Sequence, residues 1–167
     1  HITAASDDTY AGGSDASDQP SWVAYDNFTL DPFLGPQLGL WQKYYSGIYR
    51  ANLLLQKLEE APDDAGISVD VKARAAAEAK FLRAYFYFDL VRFFQNVPLI
   101  TEILGADAIY TQTQASPADV YAQIEKDLNE ARNAFEIPET VPATELGRVT
   151  KGAATALLAK VNMYQND

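Results

Sequence analysis

The stretch Glu78-Ala79-Lys80-Phe81-Leu82-Arg83-Ala84-Tyr85-Phe86-Tyr87-Phe88-Asp89-Leu90 decides how this chain is read. It joins helix formers to four consecutive aromatics and contains neither Gly nor Pro. Followed outward, it becomes a helix predicted over 71–95. Ala75, Ala79, Leu82, Phe86, Leu90 and Phe93 recur at gaps of three and four, which return to one helical face. Asp70 is the expected N-cap. Pro98 stops the run, because proline disfavours helix in the residue before it.

Upstream, a helix is predicted over 37–60 on Trp41, Tyr45, Ile48, Leu55 and Leu58, closed by Pro62 and Gly66. Downstream, 99–115 reads as loop. Ser116-Pro117-Ala118-Asp119 then opens a third helix. Ser116 caps it, Pro117 suits its first position, and Asp119 favours the positive end of its dipole. Its stripe is Val120, Ile124, Leu128, Ala131 and Phe135, with Pro138 and Pro142 beyond. Thr150 caps a fourth helix over 151–165, with an inner face of Ala154, Leu157, Leu158, Val161 and Tyr164. Ala153, Ala156 and Ala159 are expected to leave room for close helix approach. No segment alternates with period two for long, so no sheet is expected. Helix starts at 37 and 71, and at 117 and 151, are both 34 residues apart, the period of a tetratricopeptide hairpin. The fold class is therefore all-α, with tetratricopeptide-like helical hairpins and a long N-terminal loop. The expected division is a loop region over 1–36, packed on the helices, and a four-helix domain over 37–167.

Composition sets the limits on chemistry. The 167 residues include 13 basic and 23 acidic side chains, one His and no Cys. Disulfides, thiol catalysis and Cys-based zinc sites are excluded. His1 alone cannot supply a triad. A net charge of −10 opposes nucleic-acid binding, which needs clustered Lys and Arg. No apolar run is long enough to span a bilayer. The charge is also uneven: Asp7, Asp8, Asp15, Asp18, Asp26 and Asp31 all precede Lys43, the first basic residue. The start at His1 and the stop at Asp167, straight after a helical pattern, predict a piece of a larger protein.

The candidate site lies in this acidic region. Sugar rings stack on flat aromatics, and their hydroxyls pair with carboxylates and amides. Tyr10, Asp15, Asp18 and Trp22 bring both kinds of group together, beside Gln19 and Asn27. The competing reading makes Trp22 and Tyr25 anchors of the loop, and the Asp residues solvated turn formers. Asp7, Asp8, Asp15 and Asp18 also suit calcium by ligand type, although they match no EF-hand spacing. A glycosidase pair of Asp residues is a third reading, without a recognisable context. Tyr44, Tyr45, Tyr49, Phe81, Tyr85, Phe86, Tyr87, Phe88, Phe93 and Phe94 sit at helical spacing and read as packing residues. Asp89 and Arg92, one turn apart, are expected to pair on the helix surface.

Three stretches carry a resemblance. They are Trp41–Asn52, Glu78–Leu90 running on to Leu99, and Gly147–Ala154 with Leu157-Leu158-Ala159-Lys160. In order and spacing they resemble the SusD/RagB-like family of nutrient-binding outer-membrane lipoproteins, from about residue 8 onward. The resemblance implies an all-α right-handed superhelix and non-catalytic binding of oligosaccharide or polysaccharide without a cofactor. It implies an outward-facing position on the outer membrane of Bacteroidetes-type bacteria, and delivery of ligand to a TonB-dependent transporter of the SusC type. It implies membrane attachment only through a lipid-bearing Cys that this chain lacks, and full-length members far longer than 167 residues. The region of Asp8 to Trp22 contributes to the binding face in relatives, although no strict motif carries over onto Tyr10, Asp15, Asp18 or Trp22. The alternatives are a peptide-binding relative and a helical-repeat scaffold for a protein partner.

Overall fold

The computed structural model describes residues 6, 10–11, 13–15, 17–33, 35, 37–62, 66–134 and 137–165. Asp7, Asp8 and Phe135 lie outside them. The order of elements is α1 (Pro20–Asp26), α2 (Gln37–Glu60), α3 (Val69–Phe94), β1 (Val97–Pro98), α4 (Ala106–Ile109), β2 (Gln114–Ala115), α5 (Pro117–Asn133) and α6 (Lys151–Gln165), with a 3-10 turn at Ala143–Glu145 before α6. The chain divides into two compact units, His1–Lys43 and Tyr44–Asp167. The division falls inside α2.

The second unit is a stack of helices. α3 packs along α5, and α5 along α6. From Tyr44 onward, α2 meets α3 through ring contacts of Tyr44 with Phe86 and Tyr45 with Tyr87. Gly47 permits this approach: a Cβ there would stand 2.4 Å from a ring carbon of Phe86. Ile48, Tyr87, Phe88, Leu90, Val91, Val120, Ile124, Leu128 and Val161 fill the core.

The α5 expectation holds at each described position. Ser116 Oγ accepts from Asp119 N at 3.2 Å, and Val120, Ile124, Leu128 and Ala131 are fully buried. Thr150 Oγ1 likewise accepts from Ala153 N at 3.1 Å at the start of α6. Other boundaries and faces differ. The cap of α3 is Ser68, which accepts from Val71 N, and Asp70 sits inside the first turn. The first hairpin interval is therefore two residues shorter than expected. The expected Ala79 and Leu90 are buried, but the buried face of α3 is broader than the stripe, holding also Ala77, Arg83, Ala84, Tyr87, Phe88, Asp89 and Val91, while Leu82 is 44% exposed. The reason is that α3 is flanked on two sides, by α2 and α5. Tyr49 is 54% exposed and Tyr85 43%, although Tyr85 keeps an edge contact with the Phe86 ring, and Ala153, Ala156 and Ala159 are exposed. Tyr164 is 47% exposed, yet its ring meets the buried Phe88 edge to face at 5.3 Å.

The predicted loops contain short elements. α1 lies within 1–36; at seven residues it is too short to show a period. In 99–115, α4 is followed by β2, which pairs antiparallel with β1. Two residues per strand cannot display alternation.

Candidate functional site

The first unit carries the four sequence-predicted site residues. Tyr10 is 94% exposed. Asp15 and Asp18 belong to one turn, closed by Asp18 N donating to Asp15 O at 3.1 Å. Asp15 Oδ1 accepts from Ser17 N at 2.8 Å and from Ser17 Oγ at 2.6 Å. These bonds favour the ionised carboxylate and hold its pKa below the ordinary Asp value. Asp18 Oδ2 accepts from Ser14 N at 3.0 Å, and its carboxylate lies over Gly13, where a Cβ would meet it at 1.8 Å. Both carboxylates thus shape their own loop, which is the turn-forming reading of these residues. Among the described residues, Asp15 Oδ2 and Asp18 Oδ1 have no further side-chain donor.

The turn runs directly into α1. Gln19 takes a left-handed conformation at its N-cap, and Pro20 fixes the first helical φ. Trp22 is half-buried and meets Tyr25 edge to face, with ring centroids 6.4 Å apart. The structure therefore joins Asp15 to Asp18, and sets Trp22 on the helix that follows. The sequence reading did not include Phe28 and Phe33 in the site. They are 78% and 99% exposed. Phe28 also holds φ 54 just past α1, in the left-handed region that disfavours a bulky side chain. Among the described residues, no three His, Cys, Asp or Glu side chains are placed to hold a metal ion. No described helix is long and apolar enough to cross a membrane.

The second unit holds a polar cluster that sequence reasoning named only in part. Arg83 stands at its centre. Its Nε and Nη2 donate to Asp127 Oδ2 and Oδ1, both at 2.7 Å, and both side chains are buried. Its Nη1 donates to Asn52 Oδ1 at 2.8 Å and Thr101 O at 3.0 Å. Glu78 accepts from Arg148 at 2.7 Å and from Arg74 at 3.3 Å. The expected pairing of Asp89 with Arg92 is present, but Asp89 is buried rather than on the surface. Arg92 lies 4.4 Å over the Phe88 ring. No periodic signal marks Asp127 or Asn52 as buried, because both are polar residues that a stripe of apolar positions skips.

Comparison with known proteins settles the family. The family model described as "Starch-binding associating with outer membrane", SusD-like, matches residues 8–163. The chain belongs to the SusD-like family. A SusD-like protein of Formosa agariphila is 30% identical over 152 residues, covering 89% of this chain and 27% of its own length. A solved structure of a laminarin-binding SusD-like protein is 43% identical with a TM-score of 0.84, covering 93% of this chain and 32% of that one. Surface glycan-binding protein A of Bacteroides thetaiotaomicron, solved with laminarihexaose, is 28% identical with a TM-score of 0.77, covering 93% and 31%. This SusD-like chain spans about a third or less of the length of these relatives.

Proposed function

We propose that this SusD-like chain takes part in non-catalytic binding of a laminarin-type oligosaccharide at the cell surface. The observation that carries the reading is the 43% identity to a laminarin-binding SusD-like protein over 93% of the chain. The exposed Tyr10 and the carboxylates of Asp15 and Asp18 beside Trp22 have the chemistry for it. In this reading Tyr10 and Trp22 offer ring faces to the sugar, and the carboxylates of Asp15 and Asp18 accept from its hydroxyls. The ligand then passes, unhydrolysed, to a TonB-dependent transporter of the SusC type. The protein sits on the outer membrane through a lipid anchor. The family's description as associating with the outer membrane supports this placement.

Calorimetric titration of the whole gene product with laminarihexaose tests the reading. Saturable heat with laminarihexaose and none with an unrelated peptide is the expected result. Trp22→Ala is expected to weaken binding about tenfold, ~1.4 kcal/mol. Absence of binding to laminarihexaose would remove the ligand assignment. An unchanged affinity in the Trp22 variant would remove the site. Release of shorter sugars during incubation would contradict the non-catalytic role.

A further inference from the structure

α1 ends in a chain reversal that is usually built on glycine. Thr29 N donates to Ala24 O at 2.9 Å, and Phe28 N donates to Tyr25 O at 3.4 Å. These are the two bonds of a Schellman ending, with Asn27 as the C-cap and position 28 as the residue that must turn left-handed. Phe28 does so, at φ 54. Glycine enters this region without penalty, whereas a Cβ there crowds the carbonyl oxygen that follows. The Phe28 ring is 78% exposed. Phe28 therefore carries backbone strain that burial of its ring does not offset. The reversal needs the left-handed backbone and makes no use of the ring. Strain of this kind, held at a residue whose side chain stays in water, marks a side chain kept for contact with something outside the fold.

The surroundings narrow what that contact is. Position 28 follows Tyr25 by one turn, and the edge-to-face pair of Trp22 and Tyr25 stands on the same seven-residue helix. The Asp15–Asp18 turn leads into the other end of α1. Residues 10–33 contain no Lys or Arg, so an anionic partner finds no counter-charge in this segment. Phe has no hydrogen-bonding atom and offers only a ring face. A neutral sugar presents C–H faces that stack on flat rings and hydroxyl edges that pair with carboxylates, and α1 and its flanks hold both complements.

We propose that Phe28 is a third aromatic contact for the oligosaccharide, stacking on a second sugar ring of the chain that Trp22 engages. The left-handed backbone fixes where the ring emerges from the end of α1, which lowers the ordering cost of the contact. This inference rests on the laminarin-type reading above.

Calorimetry with laminarihexaose, together with thermal melts, tests it on the whole gene product. Phe28→Gly is expected to weaken binding about tenfold. The same change is expected to leave the melting midpoint at or above that of the unaltered protein, because glycine relieves the strain. Phe28→Asn tolerates the left-handed region without the freedom of glycine, and is expected to lose affinity to the same extent. Phe28→Tyr keeps a ring face and is expected to bind at least about fivefold more tightly than either. Unchanged affinity in Phe28→Gly, or affinity equally low in Phe28→Tyr, would overturn the proposal. A lower melting midpoint in Phe28→Gly would also overturn it, because the ring would then be packed by another part of the gene product. In each of these cases the laminarin-type reading stands if the unaltered protein binds laminarihexaose and Trp22→Ala weakens that binding. Absence of heat with the unaltered protein would remove both.

Discussion

Arg83 joins three separate parts of the second unit to its helix. Its guanidinium ties α3 to α5 through Asp127, to α2 through Asn52, and to the segment after β1 through Thr101. Gln123 adds a bond to Asp127 Oδ1 at 3.0 Å. Breaking such a pair leaves an uncompensated buried charge, at a cost of ~3–5 kcal/mol. Asp127→Leu should lower the unfolding free energy measured in urea by that amount, and adding Arg83→Met should recover part of it. Equal loss in the single and double variants would show that the charge left behind is not the cause. Gly47 makes a steric claim of the same kind. Gly47→Ala should cost ~1–3 kcal/mol, because the Phe86 ring it meets is held by Tyr44 and Tyr85. A third claim concerns protons. Asp15 titrates below an ordinary Asp because of Ser17, so its contribution to the turn is present above the unfolded pKa and lost as pH falls through the folded one. In an NMR titration, Ser17→Ala should move the Asp15 midpoint upward; no movement would refute the assigned cause.

Elements differ in how openly the sequence announced them, and α5 and α3 show why. α5 exposes one side, so its apolar stripe coincides with its buried face, and Ser116 and Pro117 mark its start. α3 is covered on two sides, and the polar Arg83 and Asp89 are buried along with the aromatics. A period search discards those residues and settles on a stripe containing the exposed Leu82. Within the candidate site, the residue types were legible but not their geometry. Asp15 and Asp18 share a turn through main-chain bonds that no side-chain pattern encodes. The caps offer a direct test of the corrected start of α3. Ser68→Ala should cost ~1 kcal/mol of stability, with a similar loss for Ser116→Ala. Asp70→Ala should cost a few tenths, since it removes only a favourable charge in the first turn. A larger loss at Asp70 than at Ser68 in thermal melts would restore the sequence-based boundary.

Across the molecule, net charge and its placement constrain the ligand more tightly than fold does. Six acids precede Lys43, the first Lys or Arg, and two of them, Asp15 and Asp18, are proposed sugar contacts. An anionic glycan approaching this region meets like charge without a cation to pair with. A neutral glucan meets none of that repulsion, and its contacts by ring stacking and hydroxyl bonding are little affected by salt. Between low and high salt, on the order of 0.05 and 0.5 M, laminarihexaose affinity should change less than about twofold. A sulfated polysaccharide should give no saturable heat at either salt. Binding of such a polyanion would mean that cations absent from this first stretch contribute to the site. Strong salt dependence of laminarihexaose binding would remove the neutral-glucan reading.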